Sequence, residues 1–309
     1  MKGARLHLDL FAVFQDLVDT GSFSKAAARN HLTQSAVSQQ LGFLERRLGA
    51  KLIERGKDRF ALTEAGREFL RASWKILQAY GEAESAIRHP GAIGGPLRVE
   101  AIYSIGLHAL PPYIKSFLTR FPQVRLRTSY ITAEQVYEDL IHGHGDVGLV
   151  AYPRSHPQLR VLPFQRERLA IACAPGDPLA SRKTASLKDL LSRPFVAFER
   201  GLPTQKAIED LVFRRLGTFP RVAAEFDNVE TLKRGVEVGL GITILPEPTV
   251  VAEVQAGSLA CVPFATPAYH RPTGILIRKD QPLSRAGKEF VRWLLPQPRT
   301  IKTTKRGQI

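Results

Sequence analysis

The run Phe23-Ser-Lys-Ala-Ala-Ala-Arg29, followed closely by Leu32-Thr-Gln-Ser-Ala-Val-Ser-Gln-Gln40, decides the reading of this chain. Residues 8–19 precede it as an amphipathic helix, with Leu10, Phe11, Phe14, Leu17 and Val18 at helical spacing. Gly21 closes that helix, and Ser22 or Ser24 can cap a short one from Lys25 to Asn30, built on Ala26, Ala27 and Ala28. After a turn through His31 and Leu32, Thr33 is the N-cap expected for a third helix, Gln34 to Leu48, closed by Gly49. Ala36, Val37, Leu41, Leu44 and Leu48 form its apolar stripe. Alanines at a close crossing, a tight turn and a polar-faced second helix are what a helix needs to enter a major groove. Gln34, Ser35, Ser38 and Gln39 lie off the stripe near the helix start, beside Thr33, where base edges are reached. Glutamine can pair with adenine, and serine can donate or accept. Lys51-Leu-Ile-Glu-Arg55, the basic turn Gly56-Lys57-Asp58-Arg59 and Phe60-Ala-Leu62 predict a two-stranded wing. Arg29, Arg46, Lys57 and Arg59 suit phosphates.

Outward from this unit, one long helix is predicted from Thr63 to about Arg88. Ala65, Phe69, Ala72, Ile76, Ala79, Ala83 and Ala86 are spaced alternately by four and three, a heptad seam that requires a partner helix. Phe69, Ala72, Ile76, Ala79 and Ala83 are therefore the expected dimer contacts. His89-Pro90-Gly91 and Gly94-Gly95-Pro96 form a breaker-rich hinge. Beyond it, apolar strand-like runs alternate with helical stretches, a pattern of βαβ units and parallel sheets that fits two small α/β lobes. The expected division is 1–62 for DNA binding, 63–89 for the linker helix, 90–96 for the hinge and 97–298 for the effector-binding domain. Within the last, lobe I takes 97–166 and 268–298, lobe II takes 167–267, and 299–309 is a basic tail.

Charge points the same way. The chain has 309 residues and a net charge of +15. Residues 20–60 hold eight basic and three acidic side chains, and residues 271–309 hold ten and two. Such surfaces bind polyanions by releasing their counterions. Two cysteines, Cys173 and Cys261, cannot build a disulfide framework. No apolar run reaches 18 residues and Met1–Leu10 is no secretory leader, so a soluble cytoplasmic protein with no membrane contact is expected.

Together with Leu44-Glu45, Leu48-Gly49, Arg55 and Leu62-Thr-Glu-Ala-Gly66, the two opening runs resemble the signature of LysR-type transcriptional regulators. The resemblance implies an N-terminal all-α winged helix-turn-helix with a long linker helix. It also implies a C-terminal α/β two-lobed domain similar to periplasmic solute-binding proteins. Its implied partners are double-stranded promoter DNA, a small-molecule effector and a second copy of the chain, with tetramer assembly; RNA polymerase is a candidate contact. Ile53 departs from the usual Phe, and Gly42 interrupts the recognition helix at about 0.5–1 kcal/mol relative to Ala.

Two-lobed α/β domains hold ligands at strand C-termini and helix N-termini, where free N–H groups favour anions. That rule selects Tyr103, Ser104, Ile105, Tyr130, Thr132, Ala151 and Tyr152 from the first lobe. From the second it selects Gly201, Pro203, Thr204, Asp227 and Asn228. Ser104 and Thr204 are expected at facing helix starts, which implies an anionic effector. The stretch Asn228–Pro246 is typical of the family and mainly structural. His142-Gly-His144-Gly-Asp146 has the spacing of some two-metal hydrolases, yet a glycine-punctuated helix end explains it. Gly239-Leu-Gly241 lacks the rest of a dinucleotide fingerprint. No Ser–His–Asp set or paired carboxylates can be argued, so no catalytic residue, metal or cofactor is expected.

Overall fold

The computed structural model describes residues 7–56 and 59–295. The expected phosphate contact Lys57 and the basic tail 299–309 lie outside the described residues, as does the side chain of Arg59.

The N-terminal unit comprises α1 (Leu8–Thr20), α2 (Phe23–Arg29), α3 (Gln34–Leu48), and an antiparallel wing of β1 (Ile53–Gly56) and β2 (Arg59–Leu62). The linker helix is α4 (Glu64–Arg88). Gly21 and Gly49 close α1 and α3 in the left-handed region, at φ 58° and 66°, where a Cβ would be strained. Ser22, not Ser24, caps α2 by accepting from the Lys25 amide at 3.4 Å, so the helix begins at Phe23, two residues before the expected Lys25. Leu10, Phe14, Leu17, Ala26, Val37, Leu41, Leu44 and Leu70 share one core. Leu48, expected in that stripe, is 47% exposed, because the last turn of α3 runs past the core before Gly49 ends it. Gly42 leaves α3 continuous. A Cβ there would lie 3.2 Å from Nη1 of Arg46, so the glycine gives that guanidinium room to lie along the helix.

Glu45 ties the wing to α3 by accepting from the Leu52 amide at 3.0 Å and from Lys51 Nζ at 2.8 Å. Burial opposes its charge, but those bonds and the Ile53 amide outweigh burial and hold the carboxyl below its ordinary range.

The remainder supplies β3 (Gly94–Ile102), α5 (Pro111–Arg120), β4 (Gln123–Ile131), α6 (Ala133–His142), β5 (Val147–Ala151) and β6 (Leu159–Cys173). It continues through β7 (Phe195–Phe198), α7 (Pro203–Leu216), β8 (Val222–Phe226), α8 (Val229–Glu237) and β9 (Thr243–Pro246). Last come α9 (Val251–Ala256), β10 (Ala260–Pro263), β11 (His270–Arg278) and α10 (Arg285–Leu294). β3 is parallel to β4 and β5, and β7 to β8, as βαβ alternation predicts. The parallel expectation fails elsewhere: β11 runs antiparallel to β5 and β6, and β6 antiparallel to β9 and β10. The sheet is therefore mixed.

Two main apolar cores result, with a smaller cluster of Val136, Leu140, Val150 and Leu276 beneath α6. Leu97, Val99, Leu149, Ile275 and Phe290 belong to one, and Ile171, Phe195, Ile208, Leu232 and Ile244 to the other. The long strands β6 and β11 carry the chain from one core to the other and back. Their cation-bearing parts, with Arg160, Arg166, Arg168, His270 and Arg271, interrupt the apolar runs by which strands are recognised. The stretch Leu107–Arg120, whose apolar periodicity alone reads as one helix, is also divided, into a short π-helical turn (Ile105–Ala109) and α5. Pro111 and Pro112 lack the amides that would join the two.

The junction of wing and linker is tight. Thr63 caps α4 by accepting from the Gly66 amide at 2.9 Å, and a Cβ on Gly66 would sit 2.0 Å from the Leu52 carbonyl oxygen. Gly66→Ala must therefore displace backbone, and should destabilise the N-terminal unit by about 1–3 kcal/mol. Urea unfolding followed by helix signal checks this; an unchanged midpoint would contradict the contact.

Candidate functional site

Three groups of residues emerge. On α3, Gln34, Ser35 and Gln39 are exposed and Ser38 is half-buried. At about 100° per residue these four, with Arg46, occupy about 140° of the helix surface, opposite Val37, Leu41 and Leu44. Thr33 caps the helix, accepting from the Ala36 amide at 3.2 Å, and its hydroxyl lies 2.9 Å from that of Ser35. The structure thus brings Thr33, Gln34, Ser35, Ser38, Gln39 and Arg46 to one polar surface. Arg29 is partly engaged, pairing with Asp16 at 3.2 Å.

Along α4 the seam is open at Ala72, Ile76, Ala79 and Ala83, joined by the more exposed Tyr80 and Ile87. Phe69 departs from it. Its ring stacks on Phe11 at 5.5 Å and meets Phe14 edge-on at 5.1 Å. An aromatic at a seam position packs inward when its own α1 offers aromatic partners. Leu70, Ser73 and Gly81 are the buried face of the helix.

The third group is a cavity of about 230 Å³ between the two cores. Of the residues expected there, Tyr103, Ser104, Thr132, Ala151, Pro203, Thr204, Asp227 and Asn228 line it. Four expected residues do not. Ile105 is fully buried in the first core. Tyr130 packs against that core, its ring filling the space a side chain on Gly106 would need. Gly201 forms an exposed turn at φ 98°. Tyr152, at φ 48°, donates its amide to the Pro272 carbonyl and lies beside the cavity, not in its wall, where burial raises its phenol above the ordinary range.

Three helix N-termini meet at this cavity: α6 at Thr132 and Ala133, α7 at Pro203 and Thr204, and α8 at Asn228 and Val229. Thr132 accepts from the Gln135 amide at 3.3 Å, and Asn228 from the Glu230 and Thr231 amides at 2.9 and 3.1 Å. No side chain caps α7. Ser104 differs from expectation: it makes no cap bond, and its hydroxyl instead accepts from Arg271 Nη1 at 3.0 Å.

Arg271 is the residue that sequence reasoning missed. It is 1% exposed and lines the cavity. Its Nε donates to Glu167 Oε2 at 2.7 Å, while Nη2, 2.5 Å from the same oxygen, makes no hydrogen bond. Among the described lining residues Arg271 is the one cation, against the carboxylates of Glu199 and Asp227. An arginine at the start of an apolar run looks like a strand's solvated edge; only its position opposite Glu167 on β6 explains its burial.

The minor sequence signals resolve structurally. His142 Nδ1 bonds the Glu138 carbonyl at 2.8 Å, His144 Nδ1 lies 3.4 Å from Asp139, and Asp146 is held by Arg98 at 2.7 Å, so the three do not converge. Cys173 lies opposite Ala260, and Cys261 opposite Ala172. Adjacent strand positions point to opposite faces, so the thiols do not face each other, and burial pushes both up to about 11. Among the described residues no helix is long and apolar enough to cross a membrane.

Comparison with known proteins gives two family matches. Residues 8–67 match the bacterial regulatory helix-turn-helix protein, lysR family, and residues 90–299 match the LysR substrate binding domain. The chain is 29% identical to the HTH-type transcriptional activator CmpR of Synechocystis, covering 97% of this chain and 98% of that protein. It is 32% identical to YwqM of Bacillus subtilis, an uncharacterized HTH-type transcriptional regulator, covering 87% of this chain and 92% of the relative. Its fold is that of full-length CbnR, solved with its target DNA, at a TM-score of 0.69 and 24% identity over 94% of this chain and 99% of that one.

The Arg271–Glu167 pair yields a stability test. Arg271→Met leaves Glu167 buried without its counter-ion and should cost about 3–5 kcal/mol. Adding Glu167→Gln should restore much of the loss. Chemical unfolding of the parent and the two variants decides it; a double variant as unstable as Arg271→Met would remove the unpaired charge as the cause.

Proposed function

The chain belongs to the LysR family of bacterial helix-turn-helix regulators, and on that premise we propose how its residues divide the work. It is a transcriptional regulator with an effector-binding domain, not an enzyme. Gln34, Ser35, Ser38 and Gln39, oriented by Thr33, read base edges, while Arg29, Arg46, Lys57 and Arg59 hold phosphates. Ala72, Ile76, Ala79 and Ala83 form the dimer seam. The dimers pair into a tetramer that acts on promoter DNA in the cytoplasm, with RNA polymerase as a further contact.

The effector is a small anion held between the lobes. One observation carries this reading: three helix N-termini and one buried arginine meet at the same cavity. Helix N-termini and a guanidinium both favour negative charge. Glu199 and Asp227, in the same wall, limit the ligand to one anionic end and favour hydrogen-bond donors at the other. A ligand that binds one lobe arrangement better than another shifts their populations and hence the geometry of the DNA-binding units.

Two measurements test these assignments. Calorimetry against a panel of small carboxylates and inorganic oxyanions should find a ligand whose affinity falls in Thr204→Ala by roughly 1.5–3 kcal/mol, with little change in effector-free DNA affinity. A tight cationic ligand, or an anion indifferent to that substitution, would refute the assignment. Gel shifts at several salt concentrations should show Gln39→Ala losing about 1–3 kcal/mol on cognate DNA and little on scrambled DNA. Arg46→Ala should weaken both and reduce the salt slope by about one. Equal losses for Gln39→Ala on the two DNAs would remove that residue from base reading.

A further inference from the structure

A second cavity, of about 190 Å³, lies where the N-terminal unit and linker helix meet the first lobe, and it shares no lining residue with the effector cleft. Asp19 of α1 and Trp74 of α4 form one side of it. Arg98 and Glu100 of β3, Arg127 and Ser129 of β4, Asp139 of α6 and His144 of the following turn form the other. The packing is close: the Arg98 guanidinium sits 4.3 Å from the centre of the Trp74 ring. A Cβ on Gly81 of α4 would come within 2.8 Å of Pro96.

The cationic groups here are already matched. Arg98 pairs with Asp146 at 2.7 Å, Arg127 with Asp19 at 2.8 Å, and His144 with Asp139 at 3.4 Å. Glu100 is left over. It is 5% exposed, lines the cavity, and has an Oε2 that is fully buried with no hydrogen-bond partner. Gly145 lies so close that a Cβ there would be 2.8 Å from the Glu100 carboxyl carbon, so that neighbour can supply no donor side chain. Burying a carboxylate oxygen with neither an ion pair nor a donor is costly, and protonation removes most of that cost.

We propose that Glu100 is a proton-binding site that couples the packing of the linker helix on the first lobe to pH. With the proton on, the carboxyl is neutral and the interface closes over it. With the proton off, a bare carboxylate faces Asp139 and Asp146, and water must enter to solvate it. Burial is the main cause, followed by repulsion from Asp139; Arg98 opposes them, Asp146 adds repulsion, and Arg127 opposes weakly. Together they push the carboxyl from 4.5 to about 8. A raised value in the packed state means that the packed state holds the extra proton between about pH 4.5 and 8. Over that window the ratio of packed to open forms falls by up to tenfold per pH unit, and it is constant above it.

The test uses the full chain in a Trp293→Phe background, which leaves Trp74 as its one tryptophan. Acrylamide quenching of Trp74 should rise about twofold or more between roughly pH 6 and 8 and level off above that. In the same background, Glu100→Gln should stay flat at the low-pH level. Asp139→Asn removes the leading repulsive neighbour and should move the rise to lower pH, which keeps the test decisive if Glu100→Gln folds poorly. Carboxyl-labelled glutamate NMR of the Glu100 protein should show one resonance, lost in Glu100→Gln, titrating near 8. A Glu100 resonance titrating near 4.5, or the same quenching profile in all three proteins, overturns the proposal. So does quenching that potassium or methylammonium suppresses at high pH only when Glu100 is present, since the site would then take a cation and not a proton.

Discussion

Arg271 and Glu167 stand directly opposite each other on β11 and β6, the two strands that join the cores on either side of the cleft. Both are almost fully buried, and Arg271 also reaches the Ser104 hydroxyl at the end of β3. Burying two charges costs several kcal/mol per ion, recovered only where their contact is close and well directed. The pair therefore contributes little net stability. It fixes positions: the pleat of two antiparallel strands places the guanidinium in the cleft wall, and Ser104 orients it from the first lobe. The mixed sheet follows from the same strands, because the chain must return beside itself to complete the first core.

The effector cleft and the linker cavity use charge in opposite ways. In the cleft, three helix starts share the wall with Arg271, whose charge is matched by Glu167, and with the carboxylates of Glu199 and Asp227. Among the described residues lining the linker cavity, cations and carboxylates pair off and Glu100 is left without an ion pair. The two cavities lie at the same end of β3, with Glu100 lining one and Ile102 the other, and Tyr103 and Ser104 continuing the cleft wall.

Much of the N-terminal unit was legible in sequence because its determinants are local. Caps at Ser22, Thr33 and Thr63 and left-handed glycines at 21 and 49 each act within a few residues of the helix end they define. The apolar periodicity that marks strands at Phe195–Phe198 and Val222–Phe226 and a helix at Ala133–His142 is local too, and the elements observed there have those bounds. Phe69 meets Phe11 and Phe14 of its own chain, a contact that seam spacing does not reveal because it cannot say which apolar neighbours a ring will meet.

The helix starts at Thr132, Pro203 and Asn228 were visible as cap and proline signals, and strand–helix order alone placed them beside a cleft. What the sequence determined by itself was therefore the family signature, the polar face of α3 and the chemistry of the helix termini. The tertiary structure alone decided the partners of charges distant in sequence. Arg271 meets Glu167 across 104 residues, Arg127 meets Asp19 across 108, and the buried Oε2 of Glu100 meets no donor among the described residues. A charged residue in a strand is by rule a solvated one; whether it is instead buried, and with what, depends on which strand the fold lays beside it.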